Sequence, residues 1–392
     1  MTLLLFDLNP TGHHPGYLQH LIRYWDADYG RLVAVVSLDF PEKHPDIAAL
    51  TARIPGAELR PIRPDEGAAL AVIPNFLKRM AAEWRLMVTY AELEEADHVL
   101  LMYLDQFQLA LFTEKGPHCP VSGILFRPTL HYPALGHPPL GWRERVRELK
   151  KKATLRLALR NRRLHTVFSS DSFCFDALRR FAPRLRYVAL PDPVQVYPVE
   201  EATAIRLQMR ADLPPDRKTL LLFGHLDSRK GLGPLAAALA QLPEATRERL
   251  TIWLVGPLEK SQEPFEKKMT ELPGLEVRRH HDFVPDERIQ AYFQAADGIL
   301  ALYQRHIGGS AVLVRAAAAE RPALASDYGL VGQLVRTHGL GLALDATRPA
   351  AIARALTEFL ETDPLGNPEQ MRNFATQNRA SEYARVIFEA LV

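Results

Sequence analysis

Only two cysteines, Cys119 and Cys174, occur in 392 residues, and neither C-x-x-C nor H-E-x-x-H spacing is present. That excludes a disulfide framework and a zinc site encoded by ligand spacing. An excess of one charge is also lacking. Lys+Arg 48 against Asp+Glu 46 leaves +2, too balanced for a dedicated nucleic-acid binder, so any basic partner surface must be local. No apolar run approaches the ~18 residues of a membrane-spanning helix. The amino terminus, MTLLLFDLNP, has no basic lead and meets Asp7 after four apolar residues. It reads as a buried strand rather than a signal peptide, and the chain is expected to be cytoplasmic. Two glycine fingerprints are missing as well. Neither G-x-G-x-x-G after the first strand nor G-x-x-x-x-G-K-[ST] occurs, which counts against a dinucleotide-dependent dehydrogenase or a P-loop enzyme.

What is present is a regular alternation. Apolar content is 47%, and the length suggests two or three domains, each able to bury a core. Short apolar runs at 3–8, 31–37, 98–105, 120–126, 166–170 and 186–192 are separated by helical patterns, as buried parallel strands with helical crossovers are. A second series follows at 219–226, 250–257, 275–284, 298–303, 322–327 and 341–345, with helical stretches at 231–242 and 286–296 between its members. The proline-rich stretch 191–203 divides the two series. The chain is therefore read as α/β, with two Rossmann-like domains facing across a cleft. Residues 1–195 form the first, residues 196–375 the second, and 376–392 a terminal helix that crosses back to the first domain. Tyr383, Val386, Ile387 and Ala390 give that helix an apolar stripe.

Ligands of open α/β sheets bind beyond the carboxyl ends of strands, which directs attention to three loops. After the first strand, Gly12 and Gly16 flank His13 and His14 ahead of a helix, so that backbone amides can face an anion. The alternative is a plain strand-to-helix turn. After the first strand of the second domain, Gly224 ends the run, Arg229 and Lys230 sit on the turn, and Gly231 opens a helix, an arrangement suited to a diphosphate. In the third loop, Gly308, Gly309 and Ser310 precede an apolar helix at 311–319 that carries Arg315 near its start. An inward Arg315 is costly unless it meets an anion or a carboxylate.

These residues carry a family resemblance. The succession G-x-L-x-x-x-K-G (224–231), I-x-L-V-G-P (252–257), F-V-P-D-E-R-I-x-x-Y-F-x-A-A-D (283–297), G-G-S (308–310) and A-x-x-x-R-P-A-L-A-S-D-Y-G (317–329) resembles the donor domain of retaining GT-B glycosyltransferases of family 4. The first half is similar more loosely, through the 12–16 loop, the strand ending near Asp105, and F-S-S-D-S at 168–172. The resemblance implies that Lys230 holds the diphosphate of a UDP- or GDP-linked sugar. It further implies that the backbone at Gly308, Gly309 and Ser310 holds the distal phosphate or sugar, and that the Gly12 to Gly16 loop closes over both. Fixed cations and amides at a diphosphate leaving group lower the barrier without a metal. No cofactor is expected beyond the nucleotide-sugar, which is a substrate.

Four positions depart from the family pattern. The two glutamates of its Glu-x7-Glu motif fall on Ile307 and Arg315, and a guanidinium cannot accept the ribose hydrogen bond that the second glutamate takes. His225 stands where the family has an arginine, with Arg229 available to compensate. Past the 120–126 strand, where the family has a histidine, the nearest residues are Phe126 and Arg127, with His131 beyond. Arg127 or His131 takes that catalytic role, or neither does. Asp105 either binds an acceptor hydroxyl or caps a helix.

Between Arg143 and Arg163, ten cations stand against two glutamates, with Val146, Leu149, Ala153 and Leu157 as an apolar stripe. Such a helix either lies on anionic lipid at the inner face of a membrane or packs as a solvated connector through that stripe. The sequence thus points to a glycosyltransferase acting on a nucleotide-sugar and a lipid-linked or polysaccharide acceptor, with no nucleic-acid partner. A degenerate GT-B-fold binding or regulatory protein is the competing expectation, and an epimerase on the same architecture ranks last.

Overall fold

A computed structural model of the chain describes residues 1–128, 142–195, 203, 207, 209–212, 214–362 and 364–392. They form two compact units. Unit 1 holds the described residues up to Pro193 together with Ala380–Val392, and unit 2 holds those of Val194–Arg379.

Unit 1 is built on strands β1 (Thr2–Asp7), β2 (Arg31–Val36), β3 (Ala57–Pro61), β4 (His98–Leu101), β5 (Val121–Ile124), β6 (Leu164–Ser169) and β7 (Arg186–Ala189). All pair in parallel, in the order β3-β2-β1-β4-β5-β6-β7. Alternation sorts the apolar side chains onto the two faces. Leu4, Phe6, Val33, Val35, Val99 and Leu101 join one core, and Leu3, Leu5, Leu32, Ala34, Val36 and Leu100 join the other. Register pairs such as Leu4↔Val33 and Leu4↔Val99 keep each set on its side.

Unit 2 repeats the plan with β8 (Lys218–Phe223), β9 (Leu250–Val255), β10 (Glu276–His280), β11 (Gly298–Ala301), β12 (Ala323–Ser326) and β13 (Gly341–Leu344). Its sheet, also parallel, has the order β10-β9-β8-β11-β12-β13. Leu220, Leu222, Ile252, Leu254 and Leu300 fill one face, while Leu221, Trp253, Val255 and Ile299 fill the opposite one.

The terminal helix starts at Ala380, later than the expected position 376. Pro368–Gln377 ends at Asn378, whose side chain donates to Phe374 O at 2.8 Å, and Ala380–Leu391 follows. In this last helix Tyr383, Ala384, Ile387 and Phe388 are buried in unit 1 with Leu18, Leu21, Ile22 and Trp25. The Trp25 and Phe388 rings meet edge-on at 5.1 Å. Burial of each such large side chain stabilises by roughly 1.5–3 kcal/mol.

The basic segment forms helix Trp142–Ala158, ending before Arg160, Arg162 and Arg163. Its stripe is not packed as a connector requires. Of the stripe, Val146, Leu149 (66%) and Ala153 are exposed and Leu157 is half-buried; Trp142 is 73% exposed too, and the helix buries Leu155 and Ala158 instead. Among the described residues no helix is long and apolar enough to cross a membrane.

Candidate functional site

In each sheet the strand order reverses direction at one place, and the loops leaving the strands on either side of it frame a crevice. In unit 2 this place lies between β8 and β11. The β8 exit carries Gly224 to Gly231 and the β11 exit carries 302–310, so the two loops with predicted binding residues emerge side by side. Gln304 N donates to Arg229 O at 2.8 Å, tying them together. Gly231 sits at φ +77°, and a Cβ there would lie 2.4 Å from Leu302 O, so only glycine lets the loops approach this closely.

Lys230 projects from a 3-10 turn, Ser228–Lys230, onto this junction. Its Nζ donates to Phe223 O at 2.8 Å and to the Tyr303 hydroxyl at 3.3 Å, and lies 4.8 Å from the Tyr303 ring centre. Tyr303 in turn shares a 2.7 Å hydrogen bond with Ser310 Oγ. Ser310 caps helix Ala311–Ala318, accepting from Val312 N at 3.2 Å, while Gly308 and Gly309 lead into the cap. A fixed ammonium, a phenol, a hydroxyl and a helix N-terminus therefore converge, which is the chemistry of an anion site.

Two predicted residues have other engagements. Arg229 is held by Asp227, through Nε at 2.9 Å and Nη2 at 2.7 Å, and Asp227 also accepts from Arg229 N at 2.9 Å. The pair holds the Asp227 carboxyl below its ordinary range despite burial. Arg229 thus fixes the turn before it can offer charge to a ligand. Arg315 is 8% exposed, and its Nη2 donates to Asp286 Oδ1 at 2.5 Å, while its carbonyl accepts from Gln290. It points inward and meets a carboxylate. Near the β8 exit, ligand atoms of His225, Asp227 and Glu259 lie within 4.8 Å of one another, a metal-capable geometry that sequence spacing did not reveal; Arg229 already neutralises its aspartate.

In unit 1 the reversal lies between β1 and β4. The β1 exit is braced by Asn9, whose Oδ1 accepts from Thr11 N at 3.1 Å, and by His44, whose Nε2 donates to Pro10 O at 2.8 Å. Helix His14–Arg23 begins directly after His13, with no side-chain cap, and Gly16 lies in its first turn. Gly12 adopts φ +67° with open space above it. Buried His14 donates through Nδ1 to Asp7 Oδ2 at 2.7 Å, which fixes its tautomer, and its ring stacks on Tyr103 at 4.0 Å. His13 hydrogen-bonds the Tyr103 hydroxyl. Burial first, and then electrostatic interaction with the neighbouring His14 and Arg127 side chains, hold the His13 ring below its ordinary pKa. Tyr103 continues the stack onto Phe126 at 4.3 Å, and burial pushes its phenol to about 12.

Asp105 does not cap the helix. Tyr103, not Asp105, holds the N-cap position of helix Leu104–Thr113. The Asp105 carboxylate accepts from Phe126 N and Arg127 N, each at 2.8 Å, so both oxygens pin the β5 exit. It is a positioning residue for Phe126 and the exposed Arg127. His131 lies outside the described residues.

Sequence reasoning missed Tyr103, Tyr303 and Asp286. Each tyrosine follows an apolar strand run by one or two residues, where an aromatic reads as packing.

Residues 206–383 match the family described as glycosyl transferases group 1. No curated protein sequence matches the chain. Among solved structures, HepE from Anabaena, in complex with UDP, is 18% identical with a TM-score of 0.67, covering 100% of this chain and 99% of that one. Sucrose-phosphate synthase from Thermosynechococcus elongatus is 18% identical, TM-score 0.65, with coverage of 100% and 96%. WaaG, a glycosyltransferase involved in lipopolysaccharide biosynthesis, is 15% identical, TM-score 0.62, with coverage of 100% and 98%. Residues 206–383 are thus similar to the glycosyl transferases of group 1, on a chain whose two α/β units have the GT-B fold of these solved structures.

Proposed function

We propose that this protein transfers a sugar from a UDP- or GDP-linked donor to a polysaccharide or lipid-linked acceptor, with retention at the anomeric carbon. The observation that carries the reading is the Lys230 ammonium, held by Phe223 O and Tyr303 beside the Ser310-capped helix. Breaking the sugar–phosphate bond leaves charge on the diphosphate. A preorganised cation and helix amides stabilise that charge more in the transition state than in the ground state. Lys230 is the residue for the diphosphate, and Gly308, Gly309 and Ser310 serve the distal phosphate or the sugar. In unit 1, His13, with its ring biased toward the neutral form, and Arg127 face the same exit region and are the candidates for contacts near the reacting sugar. His131 remains a candidate from sequence alone. The exposed residues Trp142, Val146 and Leu149 among cations support docking on an anionic membrane surface, at the inner face for a cytoplasmic enzyme.

A second reading is favoured by Arg315, which stands with Ile307 in place of two family glutamates: a GT-B-fold binding or regulatory protein without turnover. Calorimetric titration with UDP, GDP and ADP tests the first step. One nucleotide should bind saturably, and Lys230→Ala should weaken it about 10- to 100-fold, the loss typical of a charged hydrogen bond. No binding by the intact protein would sink the transferase reading. Binding without donor hydrolysis or transfer across a panel of sugar conjugates would move it to the second.

A further inference from the structure

Unit 1 contains a cavity of about 230 Å³ beside the β1 exit, lined among others by Asn9, Phe76, Arg79, Glu83 and Gln106. One wall is a stripe of helix Phe76–Leu93, where residues 76, 79, 80 and 83 share a face. Glu83 is 5% exposed. Its Oε1 accepts from Arg79 Nε at 2.9 Å, while among the described residues nothing donates to its Oε2. Burial raises the Glu83 carboxyl above its ordinary range, against the pull of Arg79 and with a small push from Asp7. Among the described residues the side-chain amide of Gln106 makes no hydrogen bond, and Asn9 spends its oxygen on Thr11 while its NH2 donates to none of them. Glu83 Oε2 opens onto the cavity rather than into the protein interior, so it keeps its capacity to accept a hydrogen bond from a guest.

The groups around this space have a recognisable combination of chemistry. Phe76, 58% exposed at the rim, offers an aromatic face. Glu83 offers an acceptor, and the two amides offer donors and an acceptor. Arg79 and Glu83 cancel in charge, which disfavours an anionic guest. The volume lies below the ~300 Å³ at which drug-sized pockets begin, and so suits one ring rather than a chain. We propose that this cavity is a subsite for a single neutral sugar ring of the acceptor, with a ring hydroxyl donating to Glu83 Oε2 and a C–H face resting on Phe76. The acceptor is then a saccharide at its reacting end, whatever carries it. This inference rests on the transferase reading above.

The test uses the full chain, with saturation-transfer NMR for the methyl α-D-pyranosides of glucose, galactose and mannose, and UDP titrated in parallel. At least one glycoside should bind saturably, and Glu83→Gln and Phe76→Ala should each weaken it about tenfold while leaving UDP affinity unchanged. If Glu83→Gln does not fold, Phe76→Ala and Gln106→Ala carry the comparison. UDP binding with no glycoside binding, or glycoside binding indifferent to these substitutions, overturns the subsite alone. Glycoside binding that responds to them in a protein that ignores UDP supports the pocket and strikes the transferase reading instead.

Discussion

Arg315 donates to Asp286 at 2.5 Å from a side chain that is almost wholly buried, while its partner is half exposed. The pair joins the helix after β11 to the helix after β10, so Arg315 has a structural task at the position where the sequence resemblance implies a glutamate. Restoring that glutamate is therefore expected to harm the protein. Arg315→Glu sets two carboxylates against each other and removes the buried cation. The cost should be about 2 kcal/mol, below that of a fully buried pair because Asp286 reaches solvent. Thermal unfolding should shift down by roughly 4–8 °C. Nucleotide affinity should fall rather than rise, and an increase in either quantity would show that Arg315 is a blocking residue and not a strut.

Gly231 offers a second test of how the β8 exit is held. At φ +77°, with Leu302 O in the way of any Cβ, Gly231→Ala must move one of two backbones. Because Lys230 is the preceding residue, the shift should carry the ammonium away from Phe223 O. The expected result is a melting temperature lowered by several degrees together with UDP affinity reduced about tenfold or more. Gly233→Ala, facing the Phe265 ring rather than backbone, is the control and should keep nucleotide binding.

Much of this arrangement was legible in the sequence. Runs such as TLLLF and LTIWLV are apolar on both faces, and that pattern identifies buried parallel strands. β3, with the sequence AELRP, was not legible, because an edge strand with half-exposed side chains has no apolar run to find. The glycine loops were visible because a tight strand-to-helix turn leaves its mark in local residue choice. The engagements of Asp105 and Arg315 were not, since their partners Phe126 and Asp286 lie 21 and 29 residues away on other elements. A charged residue beside a binding loop looks the same in sequence whether it faces a ligand or braces the loop.

Asp192 makes a pH-dependent prediction. Burial pushes its carboxyl up to about 6, only partly countered by the Tyr17 hydroxyl, which donates to it at 3.3 Å. Its unfolded value is about 3.9. Between these values the folded state binds more protons than the unfolded one, so this group's contribution to stability falls as pH rises from about 4 to about 6. Asp192→Asn removes the titration. The melting temperature of the variant relative to wild type should therefore increase across that window and level off above it. A difference that is flat with pH would show that Asp192 ionises in the fold as freely as in the unfolded chain.

The exposed stripe on helix Trp142–Ala158 leads to the last prediction. Trp142, Val146 and Leu149 stand at helical spacing with Arg143, Arg145, Arg147 and Lys150 around them, and the side of the helix that packs is carried by Leu155 and Ala158. Hydrophobic insertion and charge attraction then act on the same surface, and each near-surface cation adds about 1 kcal/mol on anionic lipid. The protein should sediment with vesicles containing phosphatidylserine and stay in solution with pure phosphatidylcholine. Lys150→Glu should lower the partition by about fivefold or more, and added salt should weaken the wild type in the same direction. Leu149→Glu should weaken binding even at low salt, because it removes the inserting group as well as adding a negative charge. Since Leu149 is exposed, none of these substitutions should change the melting temperature by more than about a degree. A wild-type protein that ignores both kinds of vesicle would return this helix to the role of a solvated element of unit 1.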